Sequence, residues 1–344
     1  DIGTFGGGEM SRYLRQIEDA APKWEASFSK VFLTHGDASK FSAEHLIDKT
    51  PEVVQLIQKR ILEKGLSASF INRFYESPLE WYYTHILGLD EPSNEEIDVA
   101  VFGEVVHLAL QNLYRPLENS IIQTEDLKKL ESETKATLEA AFEKVRPGVD
   151  LKYGKNRIHF ETASKMILAY LSHQKSEVKK GSIKYVKAEE EIKEIRKIRL
   201  ENDTLEVPVK GFIDRMEVRD GVLHLIDFKT GKVEAKDLKA TIKKDDLKGA
   251  AGAERFIAEL QSKGKLLQLF FYEWLMQNKT DLNLVESRIV SLITPKTYLP
   301  LKQPFPKEDA LKIFEDFLSK TVQKMLDPET PLIKNPDFAY AVFE

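Results

Sequence analysis

Two short segments hold most of the chemistry this sequence offers. Gly211-Phe212-Ile213-Asp214-Arg215 precedes Asp220-Gly221, and Leu225-Ile226-Asp227-Phe228-Lys229-Thr230-Gly231 follows it. Asp-Gly between two runs of apolar residues is the signature of a two-residue hairpin turn, so the flanking runs should be antiparallel neighbours. Asp214 lies six residues before Asp220, and Asp227 six after Gly221. In a hairpin closed at that turn the two carboxylates fall side by side on adjacent strands. Like charges repel there, and the apolar neighbours Ile213 and Ile226 imply partial burial, which raises the cost. A hard divalent cation resolves the conflict, because Mg²⁺ takes one or two carboxylates and keeps several waters. Lys229 stands two residues past Asp227, on the same face of a strand of period two. Two carboxylates, an ammonium and a metal suit the activation of water against a phosphodiester: the metal polarises a phosphoryl oxygen, and Lys229 orients or deprotonates the nucleophile. The competing account is a surface ladder in which Lys229 merely pairs with the aspartates. For an isolated Asp-x-Lys that account is the simpler one. Here the triplet ends an apolar strand, Thr230-Gly231 follows, and a second aspartate is correctly spaced, which favours the cation site.

Further along and before this hairpin, two more pairs complete a recognisable order. Gly103-Glu104-Val105-Val106-His107 precedes it, and Gln268-Leu269-Phe270-Phe271-Tyr272 follows it. A helix-borne His, Gly-x-x-Asp, Asp-Phe-Lys-Thr and Gln-x-x-x-Tyr in this order resemble the PD-(D/E)XK nuclease superfamily. Within it they resemble the RecB-like branch, which includes the nuclease domains of bacterial AddAB/RecBCD-type helicase–nucleases. The resemblance spans Ser67 to Ile293. It implies that His107, Asp214, Asp227 and the backbone carbonyl of Phe228 bind metal and that Lys229 is the catalytic lysine. It further implies that Gln268 and Tyr272 support the site and contact DNA. Gln268 and Tyr272 are four apart and share one helix face, as do Gly103 and His107. By itself His107 reads as a core histidine; beside two aspartates it reads as a ligand, and a His ligand admits Mn²⁺ as well as Mg²⁺. His85, His159, His173 and His224 have no such context and read as structural. Some family members carry an iron–sulfur cluster whose first cysteine lies in a Cys-Pro pair before an aromatic stretch. Here Ser77-Pro78 stands there, before Trp81-Tyr82-Tyr83, and the chain has no cysteine. No cluster of the usual type can form, and this region must hold by packing alone.

The elements that must position these residues are legible from periodicity. Residues 9–65 read as helical pieces around a polar stretch at Gly36–Lys40, with Val53, Leu56, Ile57, Ile61 and Leu62 at helical spacing and Gly65 as the stop. Ser69 reads as the N-cap of the next helix. Helices fit Phe102–Tyr114, Asp126–Val145 and Ile158–Lys179. After Gly181, strands fit Lys184–Ile192, Leu205–Val218 and Val222–Phe228, then a helix Lys263–Asn278, a strand Val285–Ile293, a connection Pro295–Pro306 and a helix Phe314–Met325. Helices, three strands, helix, strand, helix indicate an α/β fold with a small mixed β-sheet; the resemblance implies that it is a restriction-endonuclease-like core flanked by helices, plus an N-terminal helical region. The resemblance implies a division into residues 1–66, helical and the end of a helicase-like domain, and residues 67–344, the nuclease domain with a helical insertion at about 115–180.

Composition sets the outer bounds. The chain has 344 residues, and 51 Lys and Arg against 56 Asp and Glu give a formal charge of -5. This excludes bulk coating of nucleic acid, and leaves room for a local basic groove. Eight Lys and Arg against four Glu between Lys179 and Arg199, and seven Lys against four acids between Lys229 and Lys248, are candidate phosphate rims, with Gly249–Ala253 supplying mobility. An ordinary solvated face explains those segments equally well. No apolar run suits a membrane helix, no signal peptide is evident, and the lack of cysteine fits a reducing, cytoplasmic compartment. No phosphate loop of the Gly-x-x-x-x-Gly-Lys-[Ser/Thr] type occurs, so no ATP site is expected. A first residue other than Met reads as a trimmed chain or a piece of something longer. The expected function is a Mg²⁺- or Mn²⁺-dependent deoxyribonuclease, an exonuclease in preference to an endonuclease. The resemblance points to the nuclease domain of an AddB-like DNA repair and recombination protein with an AddA-like subunit as partner. The alternatives are a non-cleaving DNA-binding or scaffold module that keeps the fold, and a metallohydrolase of another phosphate ester.

Overall fold

A computed structural model describes residues 46–89, 97–201, 203–242, 250–277, 279, 284–295, 298–301 and 305–335. All of them belong to the unit His45–Glu344. The part of the expected N-terminal region before residue 46 lies outside the described residues.

The sheet is built around the predicted hairpin. β2 (Lys184–Arg199), β3 (Thr204–Arg219) and β4 (Val222–Lys229) run antiparallel in succession. β5 (Val285–Ser291) lies parallel to β4, and β6 (Tyr298–Pro300) closes the order β2-β3-β4-β5-β6. A parallel pair needs a long crossover, and α7 (Ala250–Ser262) and α8 (Gly264–Met276) supply it. β4 is the central strand, and its near-continuous apolar run is what burial on both faces demands. A separate two-residue pair joins β1 (Leu46–Ile47) to β7 (Leu332–Ile333).

Helices cover both faces. On one, α1 (Pro51–Lys64), α2 (Ala68–Glu76), α8 and α9 (Lys307–Leu326) pack with Val207, Val209, Ile213, Leu225 and Ile289 of the sheet. On the other, α4 (Val99–Tyr114), α5 (Thr124–Val145) and α6 (Gly154–Val178) pack with Tyr185, Ile226, Phe228 and Val290. The stretch read as a helical insertion thus forms α5 and α6. Between α2 and α4 runs α3 (Pro78–Trp81), which continues as a π-helical turn over Tyr82–Leu87. Ser77-Pro78 and the aromatic stretch read from the sequence stand here. Packing does the work here: the Trp81 ring meets Phe70 and Phe74 edge-on, with centroids 5.3 and 5.0 Å away.

The expected fold class is the observed one: α/β, with a small mixed sheet flanked by helices. Three local readings change. The N-cap of α2 is Ser67, whose Oγ accepts from Phe70 N at 3.2 Å, while Ser69 lies inside the helix. Residues 250–253, read as mobile, begin α7, because Phe256, Ile257 and Leu260 recur at helical spacing and bury against the core. Residues 298–300, read as connection, pair with β5. Among the described residues no helix is long and apolar enough to cross a membrane.

Candidate active site

The turn between β3 and β4 has positive φ at both central residues, +49° at Asp220 and +79° at Gly221. That is the two-residue turn whose twist matches the strands it joins. It sets the register Arg219↔Val222 through Arg215↔Ile226. One step further Asp214 would stand opposite Asp227, and there the strands part. Val209 and Ile213 pack into the same core as Met216 and Val218, so the alternation of β3 changes phase at Asp214–Arg215. From that point β4 continues beside β5 alone, to Lys229↔Ser291. The departing half of β3 instead receives Leu66, whose N–H donates to the Pro208 carbonyl at 2.8 Å and whose carbonyl accepts from Lys210 N at 2.9 Å.

The splayed end exposes the two carboxylates to both helix layers. Asp214 Oδ1 lies 3.2 Å from His107 Nδ1 on α4, and its Oδ2 accepts from Phe228 N at 2.6 Å. Asp227 Oδ1 accepts from Gln268 Nε2 on α8 at 2.8 Å, and its Oδ2 forms an ion pair with Lys229 Nζ at 2.8 Å. Gln268 is the hub of that layer. Its Nε2 also donates to the Tyr272 hydroxyl at 2.7 Å, and its Oε1 accepts from Lys229 Nζ at 3.1 Å. The Phe228 ring points to the opposite face from Asp227 and Lys229, edge-on to Tyr170 and His107. The structure therefore gathers all seven residues singled out from the sequence at one end of β4. Gly211 explains how α8 comes so close. A methyl group there would lie 2.6 Å from Leu275 Cδ1 and 3.5 Å from the Tyr272 ring.

The site is poorly hydrated: the Asp227 side chain is 3% exposed, Asp214 13% and Lys229 30%. Burial pushes the Asp227 carboxyl above its usual range; the neighbouring Asp214 charge adds to this and Lys229 opposes it. Burial would also raise Asp214, but His107, Lys229 and the Phe228 N–H outweigh it and hold that carboxyl below its usual range. Burial would lower both His107 and Lys229; Asp214 raises the imidazole and Asp227 raises the ammonium in spite of it. Burial and the two aspartates push the Tyr272 hydroxyl well up, so it stays a proton donor at neutral pH.

These donors fit a small divalent cation in kind. Two neighbouring carboxylates, one buried and one half-buried, a backbone carbonyl and an imidazole are oxygen-rich with one borderline nitrogen. Among the described residues no three His, Asp or Glu side chains already converge as a cage. Asp214, Asp227 and His107 are the side chains that could hold such a cation.

The match to known families follows the geometry. Residues 65–337 match the model of the PD-(D/E)XK nuclease superfamily. The chain belongs to that superfamily. No curated relative matches the sequence. Among solved structures the chain is similar to one described as a candidate exonuclease from Eubacterium rectale, 14% identical, over 88% of this chain and 90% of that one, with a TM-score of 0.42. It is also similar to the protein SSO0001, 12% identical over 78% of this chain and 87% of that one, with a TM-score of 0.20. PD-(D/E)XK nucleases generally use divalent metal ions.

The basic rims read from the sequence look different in three dimensions. Lys193 pairs with Glu191, Arg196 with Glu194, Lys197 with Glu206, and both Lys232 and Lys236 with Glu234. Their charge is largely compensated on the spot, and residues 243–249 lie outside the described residues. Sequence reasoning passed over Arg60, Lys64 and Lys210, which line a groove together with Gln268 and Tyr272. Only the Lys64-Gly65 helix stop hinted at them, since 146 residues separate Lys64 from Lys210 and nothing in the order of residues joins them.

Proposed function

We propose that this chain is a Mg²⁺- or Mn²⁺-dependent deoxyribonuclease of the RecB-like branch, acting as an exonuclease. We assign it to the nuclease part of an AddB-like repair and recombination protein that works with an AddA-like subunit in the cytoplasm. The observation that carries the nuclease reading is the shared bonding of Asp227, Lys229 and Gln268 beside the Asp214–His107 pair. Asp-x-Lys on a surface ladder would not be buried, nor braced from a second helix layer. The ordered set of His107, Gly211-x-x-Asp214, Asp227-Phe228-Lys229-Thr230 and Gln268-x-x-x-Tyr272 supports the branch and the AddB-like assignment.

In this reading His107, Asp214, Asp227 and the Phe228 carbonyl hold the cation. When bound, the cation neutralises the phosphate and lowers the pKa of a water for attack. Asp214 is kept ionised by His107 and the Phe228 N–H, so it is ready to bind. Asp227 is kept neutralisable, and its ion pair with Lys229 holds the ammonium at the mouth of the site. From there the Lys229 ammonium donates hydrogen bonds that orient the attacking water. Gln268 fixes both partners through opposite ends of one amide, and Tyr272 holds that amide in its orientation and contacts the DNA.

The test is cleavage of linear DNA with Mg²⁺ or Mn²⁺. Asp227→Ala and Lys229→Ala should each abolish it while the circular dichroism spectrum stays native. No cleavage with either metal overturns the reading. So does Mn²⁺ binding, followed by calorimetry, that ignores Asp214→Asn, which is the behaviour of a non-cleaving scaffold.

A further inference from the structure

Beside the carboxylates lies a groove of about 560 Å³ between α1, α2, the π-helical turn and β3. Gln268, which bonds Asp227, and Tyr272, which bonds Gln268, also line it. Arg60, Lys64 and Lys210 line it, and no Asp or Glu does among the described residues. None of the three cations has a carboxylate within ion-pair distance among the described residues. In a chain of net charge -5, three cations gathered in one trough with no carboxylate partner among the described residues are a concentrated phosphate-binding potential. Arg60 is held in place: its Nε donates to the Ile86 carbonyl at 2.8 Å, which turns the rest of the guanidinium to other partners. The first turn of α2, with Ser67 and Ser69, opens onto the same groove.

Beside these cations stands Phe212, 53% exposed and also lining the groove. It is two residues from Asp214, in a strand whose other neighbours Gly211 and Ile213 are buried. An exposed phenyl ring interleaved with lysines has a specific use on nucleic acid, as a platform for an unpaired base. A duplex keeps its base faces stacked on each other and offers such a ring nothing.

We propose that this groove is a binding tract for a single DNA strand flanking the scissile phosphate. Arg60, Lys64 and Lys210 hold its phosphates, and Phe212 stacks on one base. The tract sets the affinity for substrate and delivers the strand to Gln268 and Tyr272; it takes no part in the bond-breaking step. This deepens the nuclease reading and rests on it for the meaning of the scissile end, while the binding claim stands separately.

The experiment measures binding of a labelled oligothymidylate by fluorescence anisotropy across a salt series. In parallel it measures hydrolysis of bis-p-nitrophenyl phosphate, a phosphodiester too small to span the groove. Lys64→Ala/Lys210→Ala should weaken oligonucleotide binding by about tenfold or more and lower the slope of log K against log salt by about 1.4, at about 0.7 per phosphate contact on a single strand. Phe212→Ala should weaken binding at least about fivefold and leave the salt slope unchanged. Hydrolysis of the small diester should be unchanged in both variants. Unchanged oligonucleotide affinity and slope in the lysine variant overturn the tract. So does a duplex of the same length that binds more tightly than the single strand and is lost in the same variants. Groove-dependent binding by a protein that hydrolyses neither substrate would uphold the tract and overturn the nuclease reading.

Discussion

At the scale of single residues, the site works by giving two aspartates different surroundings. Asp214 is surrounded by hydrogen-bond donors and stays ionised, whereas burial and its neighbour make Asp227 reluctant to carry charge. Gln268 is the residue whose loss best separates bracing from chemistry. Gln268→Ala should leave the cation donors intact and still reduce cleavage by about 10- to 100-fold, the usual effect of removing a group that orients ligands. Steady-state cleavage should show the loss in kcat, with Mn²⁺ affinity in calorimetry changed far less than by Asp214→Asn. A second residue contributes to acid sensitivity. His224 is buried beside Arg288, whose Nη2 lies 2.6 Å from its Nδ1, and burial followed by the Arg288 charge lowers its pKa to about 4. The unfolded chain takes up this proton near pH 6.5 and the folded one only near pH 4, so the stability His224 contributes is complete above about pH 6.5 and falls as the pH drops toward about 4. The decline is at most about 1.4 kcal/mol per pH unit. Urea midpoints between pH 7 and 4.5 should fall more steeply for the native protein than for His224→Gln.

At the scale of elements, two glycines decide how closely helices approach β3. Gly65 ends α1 at φ +76° and ψ 177°, a region open in practice to glycine alone, and a methyl there would sit 2.4 Å from the Pro208 carbonyl oxygen. Gly65→Ala should therefore destabilise the protein by about 1–3 kcal/mol from backbone strain, with more from the clash. Gly211 is a different case, since what its missing side chain makes room for is α8. Gly211→Ala would push against Leu275 and Tyr272. Overpacking of this kind costs about 1–3 kcal/mol, but the larger effect should be on cleavage, because the displaced helix carries Gln268. Thermal melts and cleavage rates of the two variants should diverge: Gly65→Ala loses stability first, Gly211→Ala loses activity first.

At the scale of the whole described unit, one sheet joins two cores. Trp81 and Trp274 lie in the core with α1, α2, α8 and α9, and Phe142 lies in the core with α4 to α6. Phe142→Ala should cost about 3–5 kcal/mol. If the shared strands make the unit cooperative, near-ultraviolet circular dichroism of Trp81 and Trp274, read in a Trp24→Phe background, should report that loss although neither of the two lies in the mutated core. A tryptophan transition that stays in place would show two independent halves. Metal removal belongs to this scale as well. Each carboxylate already has protein partners, so chelation should stop cleavage with the melting temperature shifted by no more than a few degrees.

Much of the site was written in the order of residues. The Asp220-Gly221 turn dictates a register by local backbone sterics, and counting six residues either way finds Asp214 and Asp227. Period two then puts Lys229 with Asp227, and spacing of four puts Gln268 with Tyr272. These relations hold within one hairpin or one helix turn, where geometry is periodic. The parting of β3 from β4 at Asp214, the crossing of Gln268 onto Asp227 and the meeting of Lys64 with Lys210 were decided only by tertiary packing. They depend on how far a helix can descend onto a strand, which is set by side-chain volumes contributed from distant parts of the chain. That is also why the paired lysines of β2 looked like a binding rim in one dimension, and why the unpaired ones became visible in three.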